Sequence, residues 1–191
     1  MVHAFILHTL FPGSCKVLFY KIYGRSGCTS EDNEGTDSAR PERGNIDYIA
    51  SQVHSEFQFR RSVTNRSVEE EVQSLSQEDQ LPQFELGFLR LPAEALYSEE
   101  KIVVWLGTGN TCFTLVCHKN ENRTIAEHVL KILIRCTQDY LRLLNQPAEA
   151  SLKGERMCLI LSRFLPDGTL VFMNHRVVRS IERELELLIK T

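Results

Sequence analysis

The chain has 191 residues, of which 42% are hydrophobic, and a formal net charge of −3. This length and apolar content suit one domain spanning residues 1–191, and nothing in the global charge indicates a nucleic acid or an anionic membrane as a partner. The sequence shows neither a secretory signal pattern nor the run of about 18 apolar residues that a membrane span needs. We therefore expect a cytosolic protein.

The first elements read as a β-hairpin. Val2–Thr9 carries apolar residues at both parities, which indicates a strand covered on both faces. Pro12 and Gly13 signal a turn, and residues 15–23 form a second apolar run rich in β-branched and aromatic side chains. We expect this hairpin to lie buried at the centre of a sheet.

Two polar stretches, residues 24–43 and 64–83, predict flexible loops. Between them, Asn45 is expected to cap a helix. The apolar stripe of that helix has helical spacing and consists of Ile46, Ile49, Ala50, Val53 and Phe57.

Three further strands are predicted over residues 84–91, 102–106 and 111–117. The glycines between the last two favour a hairpin turn rather than a dinucleotide-binding loop. Cys112 occupies the place of the third glycine of that motif, and a strand pattern follows where a helix is required.

The next helix is predicted to begin at a capping box of Thr124 and Glu127 and to end at Asn145. Beside its main apolar stripe runs a second one, made of Leu130, Ile134 and Leu141. Either a neighbouring helix covers this second stripe, or it meets another protein. Leu130, Ile134 and Leu141 are therefore the candidate partner interface.

The C-terminal part predicts two more helices. The first spans residues 151–165 and stops at Pro166, Asp167 and Gly168. Residues 170–173 are compatible with either an extended or a helical conformation. Asn174 is expected to cap the last helix, whose apolar side consists of Val177, Val178, Ile181, Leu185, Leu188 and Ile189.

The element order is strand, strand, helix, three strands, then helices. It predicts an α+β fold in which a five-stranded antiparallel sheet lies between helices.

The sequence predicts no catalytic residue, no cofactor site and no metal site. The six cysteines contain no CxxC pair, and Cys117 and His118, as neighbours on a strand, point to opposite faces. A small cytosolic enzyme remains a competing hypothesis, which requires a pocket of convergent polar groups. The histidines that such a pocket could use are scattered along the chain: His3, His8, His54, His118, His128 and His175.

Several short motifs resemble the sigma subunits of adaptor protein complex 5, a longin-like family of small adaptins. They are Met-Val-His-Ala-Phe at 1–5, His-Thr-Leu at 8–10, Cys-Lys-Val-Leu at 15–18, Val-Val-Trp-Leu-Gly at 103–107 and Arg-Phe-Leu-Pro-Asp-Gly at 163–168. These motifs are core strands and a turn, so they identify a family and locate no site.

The resemblance implies the longin-like, sigma-adaptin fold and a non-enzymatic role as the small subunit of a heterotetramer. The other subunits of that complex are the large zeta and beta subunits and a mu subunit, and its associated proteins are spatacsin and spastizin. The family serves retrieval of cargo from late endosomes to the Golgi. The location so implied is cytoplasmic and peripheral on late endosomes and lysosomes, reached through the complex, with a nuclear pool as a further implication. The alternative is a longin-type subunit of another trafficking complex, such as a tether or a guanine-nucleotide exchange factor.

Overall fold

One antiparallel sheet organises the part of the chain that the structure, a computed structural model, describes: residues 1–23, 40–64, 83–93 and 96–189. Within these ranges the strand order is β2-β1-β5-β4-β3. The strands are β1 (Val2–Thr9), β2 (Val17–Ile22), β3 (Glu85–Leu91), β4 (Lys101–Thr108) and β5 (Thr111–His118). The helices of the same ranges are α1 (Arg40–Thr64), α2 (Arg123–Leu141), α3 (Glu149–Leu152), α4 (Gly154–Phe164) and α5 (His175–Ile189), with a 3-10 turn at Pro166–Gly168. This confirms the predicted α+β fold of a five-stranded antiparallel sheet flanked by helices.

Strand β1 pairs with β2 on one side and with β5 on the other. Its apolar residues are buried on both faces, as predicted: Ala4 and Ile6 face α1, whereas Phe5 and Leu7 face the other helices. Val2 belongs with Phe5 and Leu7, because the register with β5 shifts between Val2 and Ala4. The central position predicted for the whole hairpin is wrong for β2, which is an edge strand.

Helix α1 covers one face of the sheet with the predicted stripe. Its members are at most 1% exposed: Ile46, Ile49, Ala50, Val53 and Phe57. The helix begins at Arg40, so the prediction that Asn45 caps it is wrong. Asn45 lies inside the helix, and its Nδ2 donates to the carbonyl oxygen of Leu96 at 3.2 Å. The remainder of the two predicted loops, residues 24–39 and 65–82, lies outside the described residues.

On the opposite face of the sheet α2 packs against β4 and β5, and α4 and α5 pack against this layer within the same hydrophobic cluster. Asn122, not Thr124, caps α2: its Oδ1 accepts from the backbone N–H groups of Thr124 at 2.9 Å and Ile125 at 3.2 Å. Asparagine is at least as good an N-cap as threonine. The prediction that Thr124 caps this helix is therefore wrong. The helix ends at Leu141 rather than Asn145, because Arg142 adopts a left-handed conformation with φ of 54°.

The C-terminal helices follow the predicted order with one break. Lys153, with φ of −111° and ψ of 38°, separates α3 from α4 within the segment predicted as a single helix. The predicted stop at Pro166, Asp167 and Gly168 is confirmed, because α4 ends at Phe164 just before them. Gly168 has φ of +77°, and a Cβ there would lie 2.5 Å from the carbonyl oxygen of Val2. Asn174 caps α5 as predicted, accepting from the N–H groups of Arg176 and Val177 at 3.0 Å each.

Trp105 joins three elements on the α1 side of the sheet. It is fully buried on β4, directly opposite Gly87 on β3, and its ring meets that of Phe57 edge-on at 6.2 Å. The guanidinium of Arg60 lies 5.2 Å from the Trp105 ring centre, and its Nη1 donates to the carbonyl oxygen of Leu86 at 2.8 Å. A Cβ on Gly87 would overlap the indole ring.

We predict that Gly87→Ala destabilises the fold by about 1–3 kcal/mol, because the indole has to shift within a packed core. The matched control is Gly44→Ala, since nothing lies within 4 Å of a Cβ at this position in α1. That change should stabilise the fold by about 1 kcal/mol, because alanine is the better helix former. Chemical denaturation of both variants checks this, and a Gly87→Ala protein as stable as the wild type would contradict the packing.

Candidate interaction surface

The structure buries the three residues predicted as a partner interface. Leu130 and Ile134 are 0% exposed and Leu141 is 2% exposed. They belong to the same core cluster as Met157 and Leu161 of α4. Of the two interpretations of this stripe, the structure therefore supports cover by the helices of the chain itself, because another protein could not reach these side chains without opening the fold.

The outer side of α1 instead carries large apolar side chains in contact with solvent. Tyr48 is 48% exposed, Phe59 is 66% exposed and Val63 is 67% exposed. Spacings of 11 and 4 residues place the three on one side of the helix, opposite the stripe that packs on the sheet. Gln52, Ser55 and Ser62 share this side, and we call these six residues the α1 outer face.

The polar groups of the α1 outer face are partly satisfied by the helix itself. The hydroxyl of Ser55 donates to the carbonyl oxygen of Ser51 at 2.9 Å, and that of Ser62 donates to the carbonyl oxygen of Phe59 at 2.7 Å. None of the six residues is charged, whereas the solvent side of a helix is ordinarily rich in charge. Few charges together with exposed aromatics are the composition of the centre of a protein–protein interface.

The border of this face is fixed by Arg60. Its Nε donates to Oε1 of Glu56 at 2.8 Å, and its guanidinium is also held by Leu86 and Trp105. A surface with a fixed border loses less side-chain entropy when it is covered. Sequence reasoning missed the α1 outer face, although the recurrence of large apolar residues at 48, 59 and 63 between uncharged ones is visible in the chain.

The structure brings together one cysteine–histidine pair that the sequence did not mark. Cys15 Sγ lies 3.5 Å from Nδ1 of His8, and Nε2 of His8 lies 3.4 Å from the hydroxyl of Thr114. Burial lowers the pKa of His8 to about 4, and burial raises the pKa of Cys15 to about 11. At neutral pH both groups are uncharged, which is the opposite of the thiolate that a nucleophilic cysteine requires.

A cavity of about 650 Å³ opens beside the ends of β3 and β5, lined largely by charged and polar residues. Its charged lining residues largely pair with one another: Arg90 pairs with Glu100, and Nδ1 of His118 lies 3.4 Å from Glu99. Lys101, which is 5% exposed, places its Nζ 3.2 Å from His118. Because acidic and basic groups neutralise each other here, the cavity favours no particular charge on a ligand.

Two kinds of site are absent from the described residues. Among them, no group of three or more histidine, cysteine or acidic side chains is placed so that it could hold a metal ion. No helix of the same residues is long and apolar enough to cross a membrane.

Comparisons with known proteins agree with one another. The family model described as AP-5 complex subunit sigma-1 matches residues 1–186. The Homo sapiens protein named AP-5 complex subunit sigma-1 is 35% identical over 196 residues, which cover 96% of this chain and 96% of that protein. The Mus musculus protein of the same name is 31% identical over 156 residues, which cover 76% of this chain and 91% of that protein.

We predict that the α2 stripe is core. Ile134→Ala should lower the free energy of unfolding of the isolated chain by about 2–5 kcal/mol, because it removes buried methyl groups. Leu152→Ala, at a residue that is 78% exposed, should change it by less than about 0.5 kcal/mol. Denaturant titration distinguishes the two. If Leu130→Glu kept the stability of the wild type, this would contradict the burial of the stripe.

We predict a pH dependence of stability that originates at His8. Its folded-state pKa of about 4 lies below the ordinary 6.5, so the unfolded chain takes up the proton first as the pH falls. Stability should therefore fall between pH 6.5 and pH 4 by about 3 kcal/mol more in the wild type than in His8→Gln. His175→Gln, which removes an exposed histidine from the start of α5, is the control for the substitution itself. Equal slopes for wild type and His8→Gln would contradict the assignment.

Proposed function

This chain belongs to the AP-5 complex subunit sigma-1 family and is thus a small subunit of an adaptor complex, and from that premise we propose its place in endosomal transport. The observation that carries the proposal is the family match over residues 1–186, which includes every described strand and nearly all of the last helix. The subunit joins a heterotetramer with the large zeta and beta subunits and a mu subunit. That complex acts in vesicle-mediated retrieval of proteins from late endosomes to the Golgi.

The proposed role is non-enzymatic: the subunit supports assembly of the complex and does no chemistry. Burial raises the pKa of the Cys117 and Cys136 thiols to about 12 each, and this favours packing over reactivity for these cysteines. The proposed location is the cytoplasmic surface of late endosomes and lysosomes, reached as part of the complex, with spatacsin and spastizin as associated proteins. These details come from the family and not from any feature of this surface.

We assign the α1 outer face to the contact with a large subunit. This face exposes three large apolar side chains, each about half to two thirds exposed, and their contact with water is unfavourable in free energy when the chain is alone. Covering a fully exposed side chain of this size contributes roughly 1.5–3 kcal/mol. The face is uncharged, so a partner covers it without stripping water from charges. A permanent subunit contact, which tends to be large and apolar, suits such a surface.

The test is co-purification of the tagged chain with its stoichiometric partners. Zeta, beta and mu subunits of the same adaptor complex are expected. A tethering complex or an exchange factor in their place would establish the alternative trafficking role and overturn the proposal.

Phe59→Ser tests the surface itself. We expect co-purification of the large subunit to fall severalfold while the melting temperature of the isolated chain stays within a few degrees, because the side chain is 66% exposed. Leu152→Ser, which removes an apolar residue of α3 that is even more exposed, is the matched control and should keep the partner. Full retention of the large subunit by Phe59→Ser would place the contact elsewhere and leave the family role intact.

A further inference from the structure

A second exposed surface lies around the start of α5. It consists of Val171, Phe172, Arg176, Arg179 and Arg183, and we call it the C-terminal basic surface. Phe172 is 72% exposed and Val171 is 39% exposed. The arginines recur at spacings of 3 and 4, which places all three on one side of the helix, and all are exposed.

The fold holds these side chains in a fixed orientation. In the extended segment before α5, Met173 is 3% exposed and turns inward, so its neighbour Phe172 points to solvent. The carbonyl oxygen of Met173 accepts from Nε2 of His128 on α2 at 3.2 Å. Leu185, 0% exposed, anchors α5 to the same core and leaves the arginine side of the helix outward.

The positive charge of this surface is concentrated at its start, because the carboxylates of α5, Glu182, Glu184 and Glu186, all lie in the second half of the helix. Among the described residues none of the three arginines forms an ion pair, although Arg163 of neighbouring α4 pairs with Glu184 of α5 at 3.6 Å. Residues 175–181 contain Arg176 and Arg179 and no carboxylate. Arg176 lies in the first turn of α5, where a cation opposes the helix dipole, and an anion bound there offsets this cost.

From these features we propose that the C-terminal basic surface binds the anionic face of a lipid bilayer. Lipid phosphates accept from the arginine guanidiniums, and Phe172 and Val171 enter the boundary between headgroups and acyl chains. An acidic polypeptide would satisfy the arginines alone, whereas a bilayer offers anions and an apolar layer at adjacent depths. With a net charge of −3, the protein as a whole is repelled by such a membrane. The basic surface is therefore the side that faces it.

The test is sedimentation of the full chain with vesicles. The chain should bind vesicles of phosphatidylcholine with phosphatidylserine, bind those of phosphatidylcholine alone far less, and dissociate as salt is raised. Each arginine near an anionic surface contributes about fivefold to partitioning, so Arg176→Ala/Arg179→Ala should weaken binding about 25-fold. Phe172→Ala should weaken it severalfold at every salt concentration, because the apolar contribution is not screened.

The matched control is Arg135→Ala/Arg156→Ala, which removes the same charge from exposed positions of α2 and α4. It should bind like the wild type. An equal loss in the control would mean binding through general charge and would overturn the proposal. So would binding to soluble inositol hexakisphosphate or polyglutamate without binding to anionic vesicles. Because isolated chain and pure lipid suffice, failure here leaves the adaptor role untouched, and failure of that role leaves this result standing.

Discussion

Strands β1, β4 and β5 bury both of their faces, and this constraint determines the rest of the molecule. All eight residues of β4 are buried, including Lys101, and only His118 of β5 is partly exposed. A sheet of this kind requires a helical layer on each side. Helix α1 supplies one layer, and α2, α4 and α5 supply the other. The α1 outer face and the C-terminal basic surface consequently lie on opposite sides of the sheet.

The sequence was most informative where a local rule has few competitors. The burial of β1 on both faces followed from apolar residues at both parities, and the stop at Gly168 followed from a turn that only glycine tolerates. The cap at Asn174 was predictable because no rival capping residue stands beside it. At the start of α2, Asn122 and Thr124 both qualify as caps, and the intrinsic preference for asparagine at this position favours the earlier residue.

The candidate surface was less predictable because periodicity shows that a stripe is apolar and not what covers it. The second stripe of α2 is covered by α4, whose position depends on the break at Lys153. Gly154, which follows that break, is the residue type that often ends a helix, and the predicted single helix did not take it into account. In α1 the informative feature was instead the side opposite the core. There, exposed apolar residues stand among uncharged ones. Only the packing of the helix on the sheet shows that this side faces solvent.

The pairing of Gly87 with Trp105 has a consequence for divergence of the family. The indole occupies the volume that any side chain at position 87 would need, so the two positions share one space across β3 and β4. A larger residue at 87 becomes acceptable only when a smaller one stands at 105. If position 87 changes first the core is overpacked, and if position 105 changes first it contains a cavity. Sequences descended from a common ancestor should therefore change at both positions or at neither.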